Sequence, residues 1–207
     1  MKRFLSIFII IALLSVCTVA RTATQDAAQI MQKSASALLK SGGVTASYTL
    51  KVGGASETGT ISVKGKRFAI VSSSRSVWYD GSSLWTLDPE EKEVTLTAPT
   101  AADVASVNPY LLVSNYKTEY TARLVKGTVK GTYNIQLTPK NRQNYVKSAT
   151  LCIRASNYMP VRMDVTDRSG DKTVIVVSNV KTGVRLADSV FRFTPKNHPG
   201  VKLIDLR

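Results

Sequence analysis

The 207-residue sequence is poor in the residue types on which most enzyme and metal sites depend. It has two cysteines, Cys17 and Cys152, which are too few for a disulfide scaffold or a cysteine-based zinc cluster. A single histidine, His198, argues against histidine-rich metal sites and most histidine-dependent catalysis. The sequence has no glycine-rich nucleotide-binding loop, and no segment after Val16 is long and apolar enough to span a bilayer. We therefore expect no catalytic residues, no metal and no cofactor.

Acidic residues are also scarce, since 14 Asp+Glu stand against 28 Lys+Arg, a formal net charge of +14. The basic residues are scattered along the chain, which argues against nucleic-acid binding. A basic surface can attract anionic lipid headgroups or acidic partner surfaces, or can simply keep the protein soluble. With 43% hydrophobic and 20% charged residues, the composition is that of a globular chain and not of a disordered one.

The first twenty residues have the pattern of a secretory signal. Lys2 and Arg3 precede an apolar run over residues 4–16, which is short for a membrane span. Small residues follow at Thr18 and Ala20, so we place the cleavage site after Ala20.

The alternative is a lipoprotein signal in which Cys17 is acylated, although Val16 is bulky for the position before that cysteine. Cleavage after residue 20 removes two positive charges and lowers the net charge from +14 to +12. The mature chain, residues 21–207, is then expected to be one periplasmic domain and a monomer. Cys152 is left without a partner, in a strand-like run where we expect a structural role.

The mature chain begins with one amphipathic helix, which the spacing predicts over Gln25–Lys40. Thr24 is the expected N-cap, and Gly42-Gly43 ends the helix. The expected apolar face is formed by Ala27, Ile30, Met31, Ser34 and Leu38.

From Ala46 onwards, apolar and polar residues alternate in about ten segments separated by turns such as Asp80-Gly81. Residues 99–115 interrupt this pattern and predict one or two short helices, whereas 191–193 and 201–206 are expected as the last strands. One-sided alternation is typical of antiparallel sheet with one apolar face. About ten such strands cannot lie flat, so the apolar face must be covered by a second sheet, by barrel closure or by the helices.

Four short segments occur in a characteristic order over nearly the whole mature chain, about residues 24–207. They are Tyr79-Asp80-Gly81-Ser82-Ser83-Leu84-Trp85-Thr86-Leu87-Asp88-Pro89, Asn108-Pro109-Tyr110-Leu111-Leu112, Ile135-Gln136-Leu137-Thr138-Pro139-Lys140 and Phe191-Arg192-Phe193-Thr194-Pro195. In order and spacing, they resemble the hairpin, helical insert, strand end and C-terminal segment of periplasmic lipoprotein carriers of the LolA type.

The resemblance implies a mainly β fold, namely an unclosed antiparallel half-barrel of about 10–11 strands, with an N-terminal helix and short inserted helices covering its concave face. In that family the hydrophobic concavity holds the acyl chains of outer-membrane lipoproteins. The carrier takes them from an inner-membrane ABC transporter and ferries them across the periplasm. The resemblance thus implies a periplasmic lipoprotein or lipid chaperone that is not an enzyme.

Two other functions stay open at this point. One is a periplasmic sensor of lipids or lipoproteins, or a structural binding module, on the same scaffold. The other is a hydrolase with an unrecognised serine and aspartate arrangement, for which Asp80, Asp88, Asp164 and Asp167 are available but no nucleophile motif is present.

The candidate acyl-chain groove consists of the apolar-face side chains, for each of which plain core packing is the alternative. They are Tyr48, Leu50, Ile61, Val63, Phe68, Ile70, Leu137, Leu151, Ile153, Met163, Val165, Val174 and Val176. The candidate lid residues are Ile30, Met31, Leu38, Leu111 and Leu112. The family's latch arginine follows the second strand within a Lys-Arg-Pro sequence. Here that stretch is Lys64-Gly65-Lys66-Arg67, which makes Arg67 a candidate for a displaced latch.

Overall fold

A computed structural model describes residues 26–100, 103–104, 113, 116–127 and 129–207. The helix α1 spans Ala27–Lys40. The strands are β1 (Val44–Val52), β2 (Ala55–Lys64), β3 (Arg67–Ser72), β4 (Ser76–Tyr79), β5 (Leu84–Asp88), β6 (Glu93–Thr97), β7 (Tyr120–Val125), β8 (Thr132–Pro139), β9 (Val146–Arg154), β10 (Pro160–Asp167), β11 (Lys172–Thr182) and β12 (Lys202–Asp205). Two short 3₁₀ helices, Asp188–Phe191 and Pro195–Asn197, lie between β11 and β12. The signal-like residues 1–20 are outside the described ranges.

Helix α1 begins two residues later than predicted, with Asp26 instead of Thr24 as its N-cap. The Asp26 carboxylate accepts a hydrogen bond of 2.7 Å from the backbone N–H of Gln29, which satisfies one of the free donors of the first turn. At the other end, the Ser41 hydroxyl donates to the Leu38 carbonyl. The buried face, as predicted, contains Ala27, Ile30, Met31 and Ser34. No helix of the described residues has the length and apolar character needed to cross a membrane.

The strands of the described residues form one twelve-stranded sheet in the order β12-β6-β5-β4-β3-β2-β1-β11-β10-β9-β8-β7. Neighbouring strands are antiparallel, except that β12 runs parallel to β6. β12 and β7 are the two edges, so the sheet is not closed into a barrel. The predicted unclosed antiparallel half-barrel is confirmed, with twelve strands where 10 or 11 were expected.

The face of the sheet on which α1 packs, here called the concave face, carries two buried apolar clusters. The first cluster joins α1 to β8 and β9 and contains Ala27, Ile30, Met31, Val113, Tyr116, Ile135, Leu137, Ala149, Leu151 and Ile153. The second cluster lies on β1 to β5 and contains Ala46, Ile61, Val63, Phe68, Val77, Leu84 and Val104. Leu38 of α1 packs against both clusters. The insert between β6 and β7 therefore helps to cover the concave face, because Val104, Val113 and Tyr116 belong to it.

The opposite, convex face is not exposed to solvent throughout, contrary to the one-sided alternation. A third cluster lies there and contains Ala69, Trp78, Leu87, Val94, Phe191 and Phe193. The predicted strand over 191–193 is wrong, because Phe191 ends a 3₁₀ helix and both phenylalanine rings pack down onto the sheet. The C-terminal segment, defined here as residues 183–201, thus covers the convex side of β3 to β6.

Apart from Leu84 at the start of β5, the apolar residues of β5 and β6 lie on the convex face. Trp85 opposes Trp78 of β4, and Leu87 opposes Val94 of β6, so all four share the face of the third cluster. The intervening threonines, Thr86 and Thr95, oppose each other on the concave side. The apolar concave wall therefore ends near β4.

Candidate functional site

Eleven of the thirteen predicted groove residues lie on the concave face. Six of them are buried in the two clusters, namely Ile61, Val63, Phe68, Leu137, Leu151 and Ile153. The other five are half-buried, namely Tyr48, Leu50, Ile70, Met163 and Val165. The structure thus separates predicted residues that build the core from those that a bound molecule could reach.

The prediction is wrong for Val174 and Val176, which lie on the convex face. Their direct partners across the sheet are Asp164 and Arg162, which form an ion pair of 2.7 Å there. Residues 173–177 are apolar at nearly every position, so alternation alone does not fix which of them face the wall.

A half-buried apolar strip runs along the concave face between the two clusters, and we call it the central strip. It consists of Tyr48, Leu50, Met163, Val165, Ile175 and Val177. Sequence reasoning missed Ile175 and Val177, whose positions follow from their pairing with Leu50 and Tyr48. Within the described residues, Tyr48, Leu50 and Ile175 belong to neither buried cluster.

Tyr48 gives the central strip a large ring with one polar tip. Its ring lies over Gly59 of β2, where a Cβ atom would come within 2.6 Å of the ring and 2.5 Å of the Val71 carbonyl oxygen. Burial raises the pKa of Tyr48, a hydrogen bond with Ser72 partly opposes this, and the Glu57 carboxylate adds to the rise. The hydroxyl is therefore neutral at physiological pH, and the ring brings no charge into the apolar strip.

Helix α1 is the described part of the predicted lid. Ile30 and Met31 are fully buried against the wall, whereas Leu111 and Leu112 lie outside the described residues. Ser34 is also 0% exposed, and its hydroxyl has no hydrogen-bond partner within the described residues. A buried hydroxyl without a partner costs about 1–3 kcal/mol. The helix is therefore held on the wall less firmly than its buried area alone would indicate.

The prediction of a latch at Arg67 is wrong. Its guanidinium pairs with Asp188 and lies 5.4 Å from the ring centroid of Phe191. Both partners belong to the C-terminal segment on the convex face. The physical reason is the strand pleat, since neighbouring Phe68 points into the concave cluster and directs Arg67 to the other side. Arg67 thus holds the C-terminal segment and not the lid.

The four aspartates of the hydrolase alternative have structural partners. Asp80 and Asp88 accept backbone N–H bonds within their own turns. Asp164 forms an ion pair within β10, and Asp167 accepts a hydrogen bond from the Tyr145 hydroxyl. These carboxylates are spread from the β4–β5 turn to β10 and are not grouped.

Cys152 is 2% exposed on β9, where its thiol donates to the Asn134 side-chain oxygen at 3.0 Å. Burial raises the pKa of the Cys152 thiol, and the nearby Asp164 carboxylate adds to the rise. A thiol in this environment is a poor nucleophile, in keeping with the structural role expected from the sequence.

Residues 16–171 match the family model described as "Outer membrane lipoprotein carrier protein LolA". The chain belongs to this LolA family. A curated outer-membrane lipoprotein carrier protein from Methylococcus capsulatus is 27% identical over 135 residues, which cover 64% of this chain and 59% of that protein. Its counterpart from Xanthomonas oryzae pv. oryzae is 30% identical over 122 residues, 56% of each chain. The chain thus spans somewhat more than half the length of these relatives.

The fold of this chain is also seen in a solved structure. An uncharacterised conserved protein from Thermus thermophilus superposes with a TM-score of 0.60 at 10% identity, covering 86% of this chain and 97% of that protein. The predicted family resemblance is confirmed. The family match ends at residue 171, so β11, the C-terminal segment and β12 lie beyond it.

Proposed function

We propose that this LolA-family protein is a periplasmic carrier that shields the acyl chains of lipoproteins, or of lipids, and ferries them from the inner to the outer membrane. The observation that carries the proposal is the central strip, where hydrocarbon side chains remain half-exposed between two covered clusters. Family membership and the names of the curated relatives support it.

The energetics of the strip suit a carrier. Burying one CH₂ group contributes about 0.8 kcal/mol, so an acyl chain of about 16 carbons gains roughly 10 kcal/mol on leaving water. A bilayer offers a similar gain. The protein therefore needs only an apolar surface of comparable quality, and net transfer depends on the donor and the acceptor. We infer an inner-membrane ABC transporter as donor and an outer-membrane protein as acceptor.

The position of α1 determines how the groove opens. Leu38 packs on both clusters and so bridges the central strip, while Ile30 and Met31 hold the helix on β8 and β9. An acyl chain that enters the strip displaces Leu38 and exposes part of the helix face. The partnerless hydroxyl of Ser34 lowers the cost of this movement. The process requires no catalytic group and no cofactor, and we infer that the protein acts as a monomer.

Neighbouring substitutions on opposite faces of β11 test the proposal. Ile175→Glu places a carboxylate in the central strip, whereas Val176→Glu places it on the convex face. With a fluorescent triacylated lipopeptide and the purified mature protein, we expect Ile175→Glu to weaken binding at least about tenfold, because a carboxylate is poorly solvated by hydrocarbon. Val176→Glu should change the affinity by less than about twofold.

Equal losses in the two variants, with both folded by circular dichroism, would show that the acyl chain binds elsewhere. A wild-type protein that does not bind the lipopeptide at all would contradict the carrier function. Binding without release to acceptor vesicles would favour the sensor alternative.

A further inference from the structure

One end of the sheet carries a group of exposed basic side chains, here called the basic rim. It is formed by the start of β7 and by the β8–β9 and β10–β11 turns, which lie side by side because the strands are antiparallel. Its members are Lys117, Lys140, Arg142, Lys147, Arg168 and Lys172.

The charges of the basic rim are not neutralised locally. Within the described residues, none of these six side chains forms an ion pair. Among the acids of the same turns, Asp167 is 4% exposed and accepts the hydrogen bond of the Tyr145 hydroxyl, which leaves Glu119 and Asp171 as the exposed carboxylates. A positive potential therefore remains over this part of the sheet end.

The same end of the sheet is acidic farther along. The β5–β6 turn carries Asp88, Glu90, Glu91 and Glu93 against Lys92, and Lys202 at the start of the neighbouring β12 pairs with Glu93, so acidic groups still outnumber basic ones there. Positive and negative charge are thus separated along the sheet end, from β7 to β6. A negatively charged plane would attract the β7–β11 side and repel the β5–β6 side, which fixes an orientation.

Two exposed apolar side chains stand among these turns. Tyr145 in the β8–β9 turn is 72% exposed, and Val52 at the end of β1 is 45% exposed. An aromatic ring with a hydroxyl tip is suited to the boundary between lipid headgroups and acyl chains. An acidic protein surface would attract the charges but would leave these two side chains without an apolar environment.

The basic rim also borders the central strip. The strip lies on β1, β10 and β11, and these strands end or begin at Val52, Asp167 and Lys172. We propose that the basic rim docks on the surface of an anionic phospholipid bilayer, with Tyr145 and Val52 at the headgroup boundary, and so holds the end of the strip against the membrane. This inference rests on the proposed carrier function and adds the surface through which cargo enters or leaves.

Charge-reversed variants at the two ends of the sheet test the docking. The rim variant combines Arg142→Glu, Lys147→Glu and Lys172→Glu, whose side chains have no hydrogen bonds among the described residues. The control variant combines Lys66→Glu, Lys126→Glu and Lys130→Glu, which are exposed in the turns of the opposite end. The net charge changes equally in both, so non-specific attraction is matched.

Sedimentation with phosphatidylglycerol-containing vesicles gives the readout, with pure phosphatidylcholine vesicles for comparison. We expect the wild type to bind the anionic vesicles with an affinity that falls as salt rises. The rim variant should bind at least about tenfold more weakly, whereas the control variant should stay within about threefold of the wild type. A Tyr145→Trp variant should show a blue shift of its added emission on the same vesicles.

Equal weakening of the rim and control variants would overturn the proposal, because attraction would then depend on total charge alone. The docking proposal would also be wrong if the wild type did not bind anionic vesicles, even if it bound an acidic protein. Lipopeptide binding by the rim variant separates the docking proposal from the carrier proposal. If the rim variant still binds the lipopeptide, a failure of vesicle binding counts against the docking surface alone. Loss of lipopeptide binding by the wild type concerns the carrier function.

Discussion

Replacing Ser34 by alanine should make the protein more stable and its groove harder to open. Ser34 is 0% exposed on the buried face of α1, and its hydroxyl has no hydrogen-bond partner within the described residues. Removing it relieves a desolvation cost of about 1–3 kcal/mol, and alanine adds about 0.5 kcal/mol of helix propensity. Only one oxygen atom is lost, so the cavity is small. We expect the free energy of unfolding in urea to rise by about 1.5–3 kcal/mol.

The same substitution should weaken acyl binding if the helix must leave the wall. Each 1.4 kcal/mol that favours the docked helix lowers the apparent affinity about tenfold. Ser36→Ala is the matched control, because Ser36 lies on the outward side of α1 beside Lys33 and Tyr158. It changes only helix propensity and should raise stability by about 0.5 kcal/mol. Equal stabilisation by Ser34→Ala and Ser36→Ala would refute the claim that the buried Ser34 hydroxyl destabilises the fold. Stabilisation without loss of lipopeptide affinity would refute the helix displacement.

Four further substitutions test the packing around the groove. Gly59→Ala should lower the free energy of unfolding by about 1–3 kcal/mol, since the new Cβ meets both the Tyr48 ring and a backbone oxygen; unchanged stability in urea would show that the ring can move aside. Phe191→Ala should lower the free energy of unfolding by about 3–5 kcal/mol in the same assay. Arg67→Ala breaks an exposed ion pair and should lower it by about 1 kcal/mol or less. A larger loss for Arg67→Ala than for Phe191→Ala would contradict the conclusion that apolar contacts hold the C-terminal segment on the sheet. Burial acts to raise the pKa of Asp80, but hydrogen bonds within its turn and the nearby arginine of the C-terminal segment lower this pKa overall. The carboxylate therefore stabilises the fold fully above the usual carboxyl pKa of about 4, and this contribution is lost as pH falls through the lowered pKa. Asp80→Asn should reduce the loss of stability between about pH 7 and about pH 3, and identical curves of stability against pH for variant and wild type would disprove the effect.

The strands that alternate cleanly could be predicted from the sequence. Residues 161–165 alternate apolar and charged side chains, and β10 accordingly places Met163 and Val165 on the concave face. The face of α1 was also predictable, because helical spacing collects small and apolar residues on one side. Such patterns fix which face is apolar without knowledge of any neighbouring strand.

Other features depend on neighbours that the local sequence does not specify. In residues 173–177 both faces are apolar, so only the register with β1 and β10 places Ile175 on the wall. Phe191 and Phe193 alternate around Arg192 as they would in a strand, but spacing of two also suits an irregular segment that lies across a sheet. The position of Phe191 and Phe193 on the convex face could have been predicted only if Trp85 and Leu87 had first been placed on that face.

The change of apolar face near β4 limits where a hydrocarbon chain can lie. Beyond β4 the concave side presents Thr86 and Thr95, whose hydroxyls would lose water without gaining a partner if an acyl chain covered them. Apart from Leu84, the apolar side chains of β5 and β6 lie on the convex face, where the C-terminal segment covers them. A bound chain is therefore confined to the wall from β4 to β8, whose midline is the central strip. Since the two clusters close this wall on either side, the proposed carrier function predicts that the chain runs along the strip, and the proposed docking places the membrane at the sheet end next to the basic rim.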